Sequence, residues 1–224
     1  MSRLNRKSKG VPKRWYQERG VQRREALIAV LDEMLQERSI SEIKYQEIAD
    51  QAGIPLPSCY NLFSSKLDLI QALAESYGPQ YVDYVFSPVK IPEDLQSWLD
   101  LVDRVIERSI EFVRLYPATA AVWFGPDVPP EISLAARVRE RSIAIRYKEF
   151  IGSYYRLPEI ENLDDIFYLA LEMADRAIHI SELEHGEATA FYVREAKRIQ
   201  KAYLSIYISP YLDRREQDEP SKTR

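Results

Sequence analysis

Residues 45–66 read YQEIADQAGIPLPSCYNLFSSK, and this stretch decides the fold. Tyr45, Ile48, Ala49 and Ala52 recur at three- and four-residue steps, which places them on one face of a helix of about two turns. Gly53 ends that helix, because a residue without Cβ takes the left-handed conformation of a helix end at little cost. Pro55 and Pro57 punctuate a turn, and proline is tolerated in the first turn of a new helix, where its missing N–H leaves no bond unmade. Cys59, Leu62 and Phe63 supply the apolar side of this second helix, leaving Leu56, Ser58, Tyr60 and Asn61 for its other sides. Ser65, followed three residues later by Asp68, is the capping pattern of a third helix. Helix, three-residue turn, short helix is the layout of a helix-turn-helix, whose second helix lies in the DNA major groove.

The same residues carry a likeness to a known family. AGIPLPSCYNLFSSK resembles the recognition segment of the TetR family of bacterial transcription regulators, with Ile48-Ala49, Ala52-Gly53-Ile54, Tyr60, Phe63 and Ser65-Lys66 in register. The detailed likeness covers residues 23–73. Pro55 stands where the family usually has a capping Ser, Pro57 where it often has Gly, and Lys44 where a Ser or Thr often caps the preceding helix. Leu62 replaces a His or an aromatic residue. These departures change side chains but not the backbone layout. The resemblance implies an all-α protein, a small DNA-binding domain followed by a larger helical domain with an inducer pocket, and a dimer made by its last two long helices.

Charge supports a DNA contact confined to one end. The net charge is −4, yet residues 1–66 carry +4 and the remainder −8, and the first 24 residues alone carry +8. A solvated tail would show the same excess, but the excess stands immediately before the helix-turn-helix. Apolar content suffices for a core. No apolar run approaches the ~20 residues of a membrane span, and the basic N-terminal residues have no apolar signal core. One cysteine, Cys59, excludes an internal disulfide framework and suits a reducing cytoplasm. On the inward side of its helix it reads as a small buried apolar residue before it reads as a redox sensor.

Along the chain, residues 1–20 show no period and read as a basic, flexible arm, in which Trp15 and Tyr16 dock on the body or insert at DNA. Residues 21–66 form the DNA-binding domain, residues 67–212 the ligand-binding and dimerisation domain, and residues 213–224 a frayed polar tail. The periodicity predicts helices over residues 23–37, 65–86, 93–115, 117–124, 130–156, 160–184 and 188–212 in addition to the two of the helix-turn-helix, about nine in all. Residues 125–131, GPDVPPE, form a loop. No strand-like alternation and no internal repeat appear. The helices over 160–184 and 188–212 hold more apolar surface than one layer buries, which fits a two-fold dimer as well as closure of the monomer's own core.

Tyr60, Ser58 and Lys66 suit phosphate contacts: two hydroxyl donors and an ammonium at a helix start. Lys44 and Gln46 precede the turn and suit flanking backbone or base edges, Asn61 suits adenine, Leu56 suits a thymine methyl, and Pro57 stands with them among the candidate DNA contacts. Tyr60 also suits packing between the helices with its hydroxyl at the rim. For a small molecule, Tyr77, Tyr81, Trp98, Phe112, Trp123, Phe124, Tyr147, Phe167 and Met173 form an aromatic set that serves a pocket or a packed core equally. Asp175, His179 and Glu182 fall at i, i+4 and i+7, a metal-compatible spacing that is far more usual in a solvent- or interface-facing stripe, and no metal or cofactor is expected. With no Gly-rich phosphate loop, zinc-spaced cluster or nucleophile motif, catalysis has little to stand on. The sequence therefore reads as a cytoplasmic repressor, a homodimer on a palindromic operator, released by a small apolar or amphipathic ligand. A helical enzyme or carrier with a vestigial DNA module, and an architectural DNA binder without a ligand, are the competing readings.

Overall fold

The computed structural model describes residues 13–88, 97–125 and 127–215. Among these residues the protein is all helical, with nine α-helices and no strand. The chain divides into two compact units that meet between Glu75 and Ser76.

The first unit contains α1 (Lys13–Met34), a 3-10 turn (Ile40–Glu42), α2 (Tyr45–Gln51), α3 (Leu56–Tyr60) and the start of α4 (Lys66–Val85). Leu27, Leu31 and Leu35 from the first helix and its end, Ile48 and Ala49 from α2, Cys59 and Phe63, and Leu69, Ile70 and Leu73 from α4 form its core. The helix expected over residues 23–37 begins ten residues earlier, at Lys13, so residues 13–20 are helical and not part of an arm. Arg, Lys, Gln and Glu are good helix formers and a single interior Gly20 does not stop them, although they give no apolar period to read. The rest of the expected arm, residues 1–12, lies outside the described residues.

The second unit holds the rest of α4, then α5 (Trp98–Leu115), α6 (Ala118–Trp123), α7 (Pro130–Tyr154), α8 (Leu163–His185) and α9 (Ala190–Ser205). α8 packs most extensively on α9 and next on α7, and α5 lies against α9. Trp98, Phe112, Tyr147, Tyr155 and Phe167 are the largest fully buried side chains. Ser97 starts α5 as a reciprocal cap: its hydroxyl accepts from the Leu99 N–H at 3.0 Å and the Asp100 carboxylate accepts from the Ser97 N–H at 3.2 Å. The earlier start expected at residue 93 lies outside the described residues.

The C-terminal end departs from its expected form. α9 stops at Ser205 and not near residue 212, because Pro210 disfavours continuation of the helix. The following residues are held: Trp98 donates its indole N–H to the Ser209 carbonyl at 2.8 Å. Residues 213–215 are not frayed either. The Arg156 N–H donates to the Asp213 carbonyl at 2.9 Å and the Arg215 N–H to the Tyr154 carbonyl at 2.8 Å. Backbone groups left open where α7 ends find partners in this short bridge.

Candidate functional site

In the first unit, the turn between α2 and α3 is built on Gly53, which sits at φ +65°. The Ile54 N–H reaches the Ala49 carbonyl at 3.0 Å and the Gly53 N–H the Asp50 carbonyl at 3.1 Å, the paired bonds of a Schellman ending. Ile54 is buried behind it, so α3 leaves at a fixed angle. Tyr45 anchors the base: burial pushes its phenol up to about 12, and the hydroxyl donates to the Phe63 carbonyl at 3.0 Å. The ring of Tyr60 meets that of Tyr45 edge-on with centroids 5.1 Å apart, yet Tyr60 remains 51% exposed. Packing and a rim-facing phenol thus coexist in one side chain.

Around that frame, Lys44, Gln46, Pro57 and Asn61 are exposed, and Leu56 and Ser58 are half-buried. Gln46 donates to Asp50 at 2.7 Å on its own helix. The Lys44 N–H is capped by Glu47, whose carboxyl is held below the usual range by that bond and by Arg38 at 3.1 Å. Lys66, named from sequence as a phosphate contact, also has a structural part. Its ammonium donates to the carbonyls of Ile40 and Ile43, both at 2.7 Å, so it braces the segment before α2 from the first turn of α4. The Asp68 N–H donates to Ser65 Oγ at 3.1 Å, capping α4 as the sequence spacing suggests.

In the second unit, α4 to α9 line a cavity of about 490 Å³. Of the aromatic set named from sequence, Tyr81, Trp123 and Phe124 line it. The others have different places. Tyr77 and Phe112 pack edge-on with centroids 6.5 Å apart, in a ring cluster that includes Tyr116 and Trp123. Trp98 is fully buried against Ser209. Tyr147 is buried on Phe167 and donates to Gln200 at 3.2 Å, and Gln200 in turn borders the cavity. Met173 points away from the core and is 37% exposed.

The remaining wall is apolar, with Val105, Ile110, Val113, Ile143, Leu171 and Ile178, interrupted by charged groups. Tyr81 shares a 2.7 Å hydrogen bond with Ser109, and burial raises its phenol. Asp175, His179 and Glu182 follow one another along α8 and all three border the cavity. Burial, with the carboxylates of Glu172, Glu140 and Glu182 nearby, pushes Asp175 up to about 7. Glu140 rises to about 7 for the same two reasons, burial first and Glu172 second. His179 is lowered by burial and by Arg176. No trio of His, Cys, Asp or Glu among the described residues converges closely enough for a metal ion.

Residues 96–208, which span α5 to α9, match the family described as Tetracyclin repressor-like, C-terminal domain. The chain belongs to the TetR family of transcription regulators. No curated protein matches it significantly. Solved TetR-family structures share its fold: a regulator from Streptomyces coelicolor at 20% identity, covering 83% of this chain and 99% of that one with a TM-score of 0.65. A second, from Rhodococcus sp. RHA1, is 18% identical, with 84% and 97% covered and a TM-score of 0.58.

Sequence reasoning missed parts of the cavity of this TetR protein. Ser109, Arg139 and Glu140 border it, on α5 and α7. For Arg139 and Glu140 the one available signal was a mixed polar and apolar surface on α7, which by itself reads as solvent exposure. Outside the cavity, Leu169 and Met173 on α8, Phe191 on α9, and Ile206 and Tyr207 after it stay between 37% and 71% exposed. No helix among the described residues of this TetR chain is long and apolar enough to cross a membrane.

Proposed function

We propose that this TetR-family chain is a ligand-responsive repressor that acts in the cytoplasm as a homodimer on a palindromic operator. The α2–α3 turn presents Tyr60, Lys44, Gln46, Pro57, Ser58, Asn61 and Leu56 to DNA. The exposed apolar residues of α8 and α9 meet their counterparts in a second copy. A small apolar or amphipathic molecule in the cavity lowers operator affinity. The observation that carries this reading is α4 itself: one helix starts at Lys66, bonded to the segment before α2, and carries Tyr81 in the wall of the cavity. A ligand that favours one position of this helix biases the other end by the differential in its affinity, and 1–3 kcal/mol is the usual scale of such coupling.

The experiment is selection of duplexes from a random pool with the purified chain, followed by native mass spectrometry of the unliganded and co-purified states. Inverted half-sites centred about 10 bp or a multiple apart support a dimer carrying two recognition helices. Recovery of no preferred sequence at any salt concentration overturns the reading.

A further inference from the structure

The cavity carries a charge imbalance that its own side chains do not resolve. Asp175 and Glu182 stand two turns apart on the wall made by α8, and among the described residues no hydrogen bond or ion pair reaches either carboxylate. His179 lies between them, and burial with the neighbouring Arg176 lowers its basicity, so it brings no charge near neutral pH. On the adjoining wall made by α7, Arg139 lies 3.9 Å from its neighbour Glu140 and covers the ring of Trp123 at 4.6 Å. Arg114 borders the cavity from the exposed last turn of α5.

A carboxylate in apolar surroundings either takes up a proton or finds a cation, since charge without a partner is costly away from water. Asp175 is pushed up to about 7 by burial, which shows the first alternative half in force. A neutral ligand leaves both acids as they are, and an anion adds a like charge beside them. A cation satisfies them and, on the aromatic side, gains from the negative faces of the rings. We propose that the ligand of this cavity is a lipophilic organic cation, its charged centre held between Asp175 and Glu182 and its apolar body against Trp123, Phe124 and Ile110. This rests on the cavity being the ligand site and adds the charge class of the ligand.

The test is isothermal titration of the full chain with three probes of similar shape: tetraphenylphosphonium, tetraphenylborate and the neutral triphenylphosphine oxide. Tetraphenylphosphonium binds at least about tenfold more tightly than either of the others, and Asp175→Asn and Glu182→Gln each remove about tenfold of that advantage. Circular dichroism and thermal melts check folding, and should Asp175→Asn fail to fold, Glu182→Gln carries the comparison. Equal or tighter binding of tetraphenylborate, or of the neutral probe, overturns the cation assignment and leaves the cavity as a ligand site. Cation binding unchanged in both folded variants also overturns it. If none of the three probes binds, the cavity reading falls, and the cation assignment falls with it.

Discussion

The ammonium of Lys66 donates to the main-chain carbonyl of Ile43 at 2.7 Å, and to that of Ile40 at the same distance. Ile43 is fully buried and stands two residues before α2, so the first turn of α4 fixes where α2 begins. A cation placed at the start of a helix suggests a phosphate ligand from sequence alone; two main-chain carbonyls give it a structural part as well.

Lys66→Met therefore acts first on stability. Hydrogen bonds to a charged donor contribute about 1.5–3 kcal/mol, and thermal melts of the full chain are expected to show a loss of that order. The salt dependence of DNA binding in the folded fraction keeps its slope. An unchanged melting temperature with a slope reduced by roughly 0.9 would instead make Lys66 a phosphate ligand.

Tyr60 separates into ring and hydroxyl. The ring packs on Tyr45 while half the residue faces solvent. Tyr60→Phe keeps the melting temperature and weakens DNA binding several-fold at every sequence tested, as loss of one positioning contact does. Tyr60→Ala also destabilises, because the aromatic pair itself is worth about 0.5–1.5 kcal/mol. Equal DNA affinity of parent and Tyr60→Phe in electrophoretic or anisotropy titrations removes the phenol from the interface.

Asp175 makes stability depend on pH with a definite sign. Its folded pKa of about 7 lies above the ordinary 3.8, so between those values the folded chain binds more protons than the unfolded one. The stability this provides is complete at low pH and is lost as pH rises through 7. The charged or titratable groups around it are Glu172, His179 and Glu182 on α8, Glu140 and Arg139 on α7, and Tyr81 on α4. Asp175→Asn is expected to raise the melting temperature at pH 8 by several degrees, on the scale of about 2–4 °C per kcal/mol, by less at pH 5, and by little below pH 4. A larger gain at pH 5 than at pH 8 contradicts the assignment.

Pro79 lies inside α4, four residues after Glu75. Proline there donates no N–H to the Glu75 carbonyl and costs a helix interior about 3 kcal/mol relative to alanine. Pro79→Ala is expected to raise the melting temperature and, by stiffening α4, to diminish any effect of ligand on operator affinity. An unaltered ligand effect alongside a raised melting temperature leaves the proline without a part in coupling.

The frame of the first unit was legible because it is local. Gly53 with its neighbours and Ser65 with Asp68 act over three to five residues, and both motifs form as the spacing suggests. The destinations of long-range partners were not legible. Trp98 reads as a pocket residue by type, but its indole N–H reaches Ser209 across 111 positions of chain. Tyr77 and Phe112 went to a ring cluster, since aromatic residues satisfy packing and lining alike. Asp175, His179 and Glu182 were visible as one helical face; whether that face meets solvent, a partner or a cavity is decided by helices distant in sequence.

Operator affinity measured with the cavity empty and with it filled tests the central claim most directly. A labelled duplex from the selection, titrated by anisotropy with and without the small molecule found by native mass spectrometry, should bind at least about tenfold more weakly in its presence, and the duplex should weaken binding of that molecule by the same factor. Equal operator affinity with the cavity empty and saturated would contradict the account.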